Sequence, residues 1–299
     1  MALEELTSIE IHSVADIIGF VKVNALRTYH TCTNSMSLYR GQSDYEWHLA
    51  PAVYRNDQFQ FESIYIKELE RIRPLEFTNC DNFDKLVKMQ HYGLPTRLLD
   101  VTSNPLVALY FACKNRFEKD GAFYYFSTPA FWEDNWAIQI VTDYVMEPIN
   151  SINDLLLRER HRLPEVFKRD SRAKEMIQHA LGVPAHAVLP KNTNQRIQQQ
   201  SGAFLLFGMS YRKPKPERAL NTPFGDTLPF CELDVEQEKN ICPVIKKIKI
   251  PAQYKQTILE ELDLLNINEG FLFPELEYQS KNVVQYVQRR ILPPKSTTT

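Results

Sequence analysis

Glycine is scarce, with nine in 299 residues, which argues against a chain built on repeated glycine turns. Cysteine is sparser still. The five cysteines, Cys32, Cys80, Cys113, Cys231 and Cys242, form no CxxC pair, so neither a zinc spacing nor a disulfide framework is present, and the scatter fits reduced thiols. No apolar run approaches the ~20 residues that cross a bilayer. The opening MALEELTSIEIHS lacks the basic-then-apolar pattern of a secretory signal. These absences predict a soluble, cytoplasmic protein with no membrane contact. A net charge of −2 exerts no global pull on nucleic acid. GxSxG, HExxH, GxxxxGKS/T and GxGxxG are all missing, which excludes P-loop phosphoryl transfer. The histidines make no ligand spacing with cysteine, and no metal is expected.

What is present is ordinary in bulk, 43% apolar and 24% charged, but generous in aromatics, with 14 Tyr and 17 Phe. Apolar residues recur at helical spacing from Ser13 to about Tyr29, with Ser13 as the cap. A short strand is predicted at Ser37–Arg40. FESIYIKELERIRP reads as a helix that Pro74 ends, and Asn82 to His91 as another stopped by Gly93-Leu94-Pro95. Asn104 caps a third, with Pro105 at its first position. Beyond Gly121, AFYYFS reads as an aromatic strand and AIQIVTD as a further strand. INDLLLRERH and RAKEMIQHALG are predicted helices, GAFLLFG and VIKKIKI strands, and AQYKQTILEELDLLNI an amphipathic helix. The Pro-rich RKPKPERALNTPFGDTLPF reads as loop, FPELEYQSKNVVQYVQRR as a closing helix and PPKSTTT as a frayed tail. The chain is helix-heavy over about residues 1–118 and strand-richer over 119–299. That order predicts one α+β domain, with central mixed or antiparallel sheets flanked by helices.

Two stretches carry chemistry. In Tyr39-Arg40-Gly41 a guanidinium stands beside a residue with no side chain, an arrangement that lets a ligand approach the backbone while the arginine grips phosphate or carboxylate. The competing role is a structural arginine bridging loop carbonyls. The stretch QHYGLPTRLLDVTSNP places His91 at a helix end and Thr96, Arg97 and Asp100 in a turn, where Asp100 is expected to lock Arg97 as a buried pair. Thr102 and Ser103 follow. Arg40, His91 and Thr102 are expected to line one cleft, with Arg97 and Asp100 as its brace. Glu275 and Glu277 are candidate general bases, or acids that complement a helix dipole.

The segments LYRGQSDYEWHLAPAVYR, QHYGLPTRLLDVTSNPLVALYFAC, RIQQQSGAFLLF and LFPELEYQS together resemble the FRG domain, named for its Phe/Tyr-Arg-Gly motif. The resemblance is drawn from about Val14 to Tyr286. It implies a bacterial toxin–antitoxin or phage-defence setting. Its motif order is in turn similar to that of mono-ADP-ribosyltransferases, which implies an ADP-ribosyltransferase-like core and NAD as substrate. By that likeness Tyr39, Arg40, Gly41 and Gln42 form the first NAD-binding motif, and Tyr92, Thr96, Arg97, Asp100 and Ser103 lie beside it. Tyr39, Tyr92 and Tyr110 are the rings available for stacking on nicotinamide. His91, Thr102, Gln200 and Glu277 take the catalytic roles. The third motif of such enzymes carries a glutamate, which the stretch Arg196 to Gln200 lacks, so the carboxylate moves to Glu275 or Glu277. The implied acceptor is RNA, single-stranded DNA or protein, because YRKPKPER, VIKKIKI and VQRRILPPK interleave basic residues with aromatics. An antitoxin protein is an implied partner. The alternatives are a non-catalytic module that binds a nucleotide or partner, and an NAD hydrolase or nuclease.

Overall fold

The computed structural model describes residues 10–31, 35–148, 152–168, 170–191, 194–208, 244–275 and 283. The Pro-rich segment, the frayed tail, Glu277 and nearly all of the expected closing helix lie outside them. Within them six strands make one sheet: β1 (Ser35–Gln42), β2 (Leu98–Thr102), β3 (Gly121–Trp132), β4 (Ala185–Leu189), β5 (Gly202–Phe207) and β6 (Val244–Ile250). The order β1-β2-β5-β4-β3 closes on itself because β3 also pairs with β1, giving a five-stranded barrel in which β6 pairs with the first part of β3, along the edge that β4 takes farther on. Only the β3–β4 pairing is parallel. Helix and strand are mixed along the chain, as an α+β reading requires, but the sheet is closed.

The aromatic run after Gly121 explains why β3 organises the rest. Its residues are buried on both faces from Gly121 to Phe126. Successive side chains of a strand point to opposite faces. Tyr124 and Phe126 therefore fill the barrel with Leu38, Leu99, Val101, Leu205 and Phe207. Phe123 and Tyr125 face outward under the helices α1 (Val14–Thr31), α4 (Pro105–Cys113) and α9 (Lys255–Leu264). On another flank Leu98, Phe204 and Leu206 pack beneath α2 (Glu62–Ile72), α3 (Asn82–His91), α5 (Trp136–Met146), α6 (Ile152–Glu159) and α7 (Asp170–Gly182). Two short helices, α8 (Gln195–Gln199) and α10 (Glu269–Leu272), complete the set.

Several expected ends are met by the chemistry that predicted them. Asp81 caps α3 by accepting from the Asp84 amide, and Asn104 caps α4 by accepting from the Leu106 amide, with Pro105 at the first helical position. AIQIVTD is helical, contrary to the strand expected there. Asn135 caps it through the Ala137 amide, and Ala137, Ile138, Ile140, Val141, Tyr144, Val145 and Met146 are all buried as α5 packs against α2, α3 and α7. A helix enclosed on every side needs no polar face, so its β-branched residues read locally as a strand. Leu98–Thr102 is strand β2, not part of a turn, and AHAVL forms β4, which was not anticipated.

Arg97 is not paired with Asp100. Its guanidinium forms a buried ion pair with Glu62 at the start of α2, through Nε at 3.0 and 3.1 Å, and also donates to the Phe207 carbonyl at 3.3 Å. Arg97 is 4% exposed and Glu62 3%, and the guanidinium is held above its ordinary pKa by Glu62 and neighbouring phenols against the pull of burial. On the other side of the barrel Lys255 is fully buried, its ammonium donating to the carbonyls of Ser43, Asn115 and Arg116 at 2.7, 3.1 and 3.0 Å. Burial holds its pKa low.

Gly41 is where α4 touches β1. A Cβ built there would stand 1.8 Å from the Ala108 carbonyl oxygen and 2.5 Å from the Ala112 nitrogen. Its bare backbone therefore admits a helix, and the ligand approach expected at this glycine is taken by α4.

Arg97→Ala should cost about 3–5 kcal/mol in urea unfolding because it strands a buried carboxylate, whereas Arg97→Met with Glu62→Leu should recover most of that loss. Gly41→Ala should lower stability by at least 1–3 kcal/mol in the same measurement, through overpacking.

Candidate functional site

β1 and β2 meet at a single pair, Tyr39 with Thr102, and then part. Along β2, the Arg97 carbonyl and the Ser103 amide bond toward β5. Alternation along the strand therefore turns the Asp100 carbonyl toward the parted β1. Arg40 closes the gap from its side chain: Nη1 donates to that carbonyl at 2.5 Å. A cavity of about 280 Å³ opens at this split. One wall is α4, with Val107, Ala108 and Phe111; α3 supplies Val87, Gln90 and His91. The segment from Asn194 to Phe204 supplies Arg196, Ile197 and Gln200.

Arg40 is the electrostatic centre of this cleft. Its Nε is sealed from solvent and has no hydrogen-bond partner among the described residues. None of their carboxylates stands within ion-pair distance of it. Burial pulls its pKa below the ordinary guanidinium value; Asp100 works against that pull and Arg55 adds to it. A half-buried guanidinium with no counter-ion among the described residues is poised to take an anion, since buried charge is tolerated best when paired.

Across the cleft, Glu275 bridges two walls, with Oε1 3.5 Å from His91 Nε2 and 3.7 Å from Arg196 Nη1. Its Oε2 is shut from solvent without a hydrogen-bond partner among the described residues. Arg196 also lies 4.7 Å from the centre of the Phe273 ring, which carries Lys114 at 4.6 Å as well. This side is thus cationic with the Glu275 carboxylate set into it, while the Asp100 carboxylate stands on the β2 wall.

The hydroxyls expected to act on a ligand are occupied. Thr102 Oγ1 donates to the Gln200 carbonyl at 2.6 Å and accepts from the Asn104 amide at 3.0 Å. Ser103 Oγ donates to the Ser201 carbonyl and is not part of the cavity wall. Thr96 is buried and donates to Gln90, and Gln42 is buried beside the His48 carbonyl. Gln200 lines the cleft, but its amide nitrogen is tied to the Leu272 carbonyl at 2.9 Å.

The expected stacking rings divide as well. Tyr39 lines the cleft yet belongs to the core against Phe123 and Tyr125, where burial pushes its phenol up to about 12. Tyr92 is 72% exposed and Tyr110 is in the core; neither lines the cavity, where Phe111 and Phe204 join Tyr39. Arg40, His91, Thr102, Asp100, Gly41 and Gln200 do come together, whereas Arg97 stays behind the wall with Glu62. Gln90 and Asn194 escaped the sequence reading. The signal for Gln90 was available, because Val87, Gln90 and His91 share one helical face at i, i+3 and i+4; a lone asparagine before a polar run gives none.

A second, polar cavity next to Asp81 and Glu133 is no cofactor seat. Asp81, Asp84 and Glu133 stand close enough together to ligate a cation, but Lys191 brings its own ammonium, 3.1 Å from Asp81 and 3.8 Å from Asp84 and paired with Glu133.

Residues 35–121 match the FRG domain family, so the chain carries an FRG domain there. The match holds both β1 and the β2–α4 stretch, and is shorter than the span from Val14 to Tyr286 over which the resemblance was drawn. No curated protein and no solved structure matches the chain.

Inorganic pyrophosphate should raise the thermal midpoint of the wild-type protein, and Arg40→Ala should abolish that shift while lowering the ligand-free midpoint by about 2–4 °C, because the bond that closes the gap to the Asp100 carbonyl is lost. Scanning calorimetry with and without the anion checks both.

Proposed function

We propose that the FRG domain binds NAD in this cleft and transfers its ADP-ribosyl group to a macromolecule, the bond from ribose to nicotinamide breaking, nicotinamide leaving and the acceptor nucleophile bonding to the ribose carbon. The observation that carries the reading is the half-buried guanidinium of Arg40, which has no counter-ion among the described residues, at the split between β1 and β2 and near the Glu275 carboxylate on the rim. Arg40 takes the pyrophosphate of NAD, and the apolar wall of Val107, Phe111 and Ile197 takes a ring. Glycosidic cleavage builds positive charge on the ribose, which a fixed carboxylate opposite stabilises. Glu275, held between His91 and Arg196, supplies the carboxylate that the Arg196–Gln200 stretch lacks, and His91 beside it is the group placed to take the acceptor's proton. Thr102 and Gln200 act as frame, since the Thr102 hydroxyl and the Gln200 amide nitrogen are engaged with backbone. The ADP-ribosyltransferase-like core belongs to this proposal, as does the role of toxin in a bacterial toxin–antitoxin or phage-defence system, with an antitoxin as partner.

The acceptor is RNA or protein. The described basic run, β6, gives nucleic acid little support, because its lysines have other work. Lys246 donates to Asn24, Lys247 to the Tyr45 carbonyl, and Lys249 lies between Glu10 and Asp120. The second reading, a nucleotide-binding module without catalysis, is favoured by the engagement of Thr102 and Gln200.

Purified protein incubated with labelled NAD and total lysate should place label on a macromolecule. Release of free ADP-ribose alone points instead to an NAD hydrolase, and bound but intact NAD to the module. Growth arrest on expression should vanish with Arg40→Ala and Glu275→Gln and persist with Lys67→Ala.

A further inference from the structure

Asp100 has no role in the frame that its side chain explains. It sits in the middle of a strand, where aspartate is disfavoured, and its carboxylate is exposed at the cleft. Neither neighbouring arginine pairs with it: Arg97 is committed to Glu62, and Arg40 donates to the backbone carbonyl of Asp100. The bracing at this position is done by the backbone, which leaves the side chain to be accounted for.

That side chain is nonetheless held in place. Gln90 Nε2 donates to Asp100 Oδ1 at 2.9 Å, and Gln90 Oε1 accepts from the Thr96 hydroxyl at 2.5 Å. Thr96 Oγ1 in turn accepts from the Leu98 amide at 3.3 Å, so its own proton goes to Gln90 and the amide orientation is fixed from a buried residue outward. Asp100 Oδ2 has no hydrogen-bond partner among the described residues. The cleft therefore offers an anion receptor, Arg40, and close by a fixed hydrogen-bond acceptor that repels anions. A ligand that satisfies both carries phosphate and, a short distance away, hydroxyl donors; the two oxygens of a carboxylate match two adjacent hydroxyls.

We infer that Asp100 receives the paired hydroxyls of a ribose ring, and that Gln90 and Thr96 are positioning residues that aim it, so that the cleft selects a ribosyl diphosphate over a simple anion. This rests on the nucleotide reading of the same cleft and adds the residue that confers its selectivity.

Titration calorimetry on the full chain tests it with three probes: ADP-ribose, an ADP-ribose analogue lacking both 2′,3′-hydroxyl pairs, and inorganic pyrophosphate. Asp100→Asn should weaken ADP-ribose at least about tenfold, in line with loss of hydrogen bonds to a charged group. The same variant should bind pyrophosphate as tightly as wild type or more so, because a repelling charge is gone. The analogue should bind Asp100→Asn at least as tightly as wild type, for the same reason. Gln90→Met should weaken ADP-ribose severalfold and leave pyrophosphate unchanged, whereas a merely structural role would lower both together. Wild-type affinity for ADP-ribose in Asp100→Asn overturns the inference, as does an analogue that binds wild type as tightly as ADP-ribose. Equal loss of both anionic probes in Asp100→Asn overturns it too. Wild-type protein that binds pyrophosphate but not ADP-ribose removes the nucleotide reading itself, and the inference with it.

Discussion

A barrel wall held by one strand pair must be completed by something else, and here the completion comes from a side chain. Where β1 and β2 part, the Asp100 carbonyl faces a strand that has moved out of reach, and the Arg40 guanidinium reaches across to it. The same event makes the opening and places a cation in it, with no carboxylate of the described residues within ion-pair distance. The surrounding helices respond to this split. α4 presses so closely on Gly41 that only a bare backbone fits, and α3 and α8 set the far walls. Binding geometry and barrel closure are therefore one problem, which is why residues of the same short motif serve both.

Much of the fold was legible because its signals were local. Asp81 and Asn104 cap the helices they appear to cap, Pro105 sits where its missing amide costs nothing, and AFYYFS is a strand by composition alone. AIQIVTD misled because the deciding fact, enclosure by α2, α3 and α7, lies far off in sequence; its only local hint of a helix was Asn135. The strand LLDVT was hidden by the polar residues around it, which exist to serve the cleft and its frame.

The site was legible in its membership more than in its roles. Arg40, His91 and Asp100 stand at the cavity, yet the partner of Arg97 is Glu62, 35 residues upstream, and no periodicity advertises a buried acid at a helix start. The hydroxyls of Thr102 and Ser103 looked like reactive groups by type. Their hydrogen bonds to Gln200 and Ser201 tie β2 to the start of β5, a contact across nearly a hundred residues that no sequence window contains.

The matched stretch supplies only two of the strands, β1 and β2, and ends at the first residue of β3. The edge of β2 away from β1 belongs to β5, and the other edge of β1 to β3. The buried ammonium that satisfies the carbonyls of Ser43, Asn115 and Arg116 arrives from Lys255. Cut out on its own, that stretch would expose two bare hydrogen-bonding edges and three orphaned acceptors. The motif is thus the portion of this molecule that recurs, while the unit that folds extends well past it.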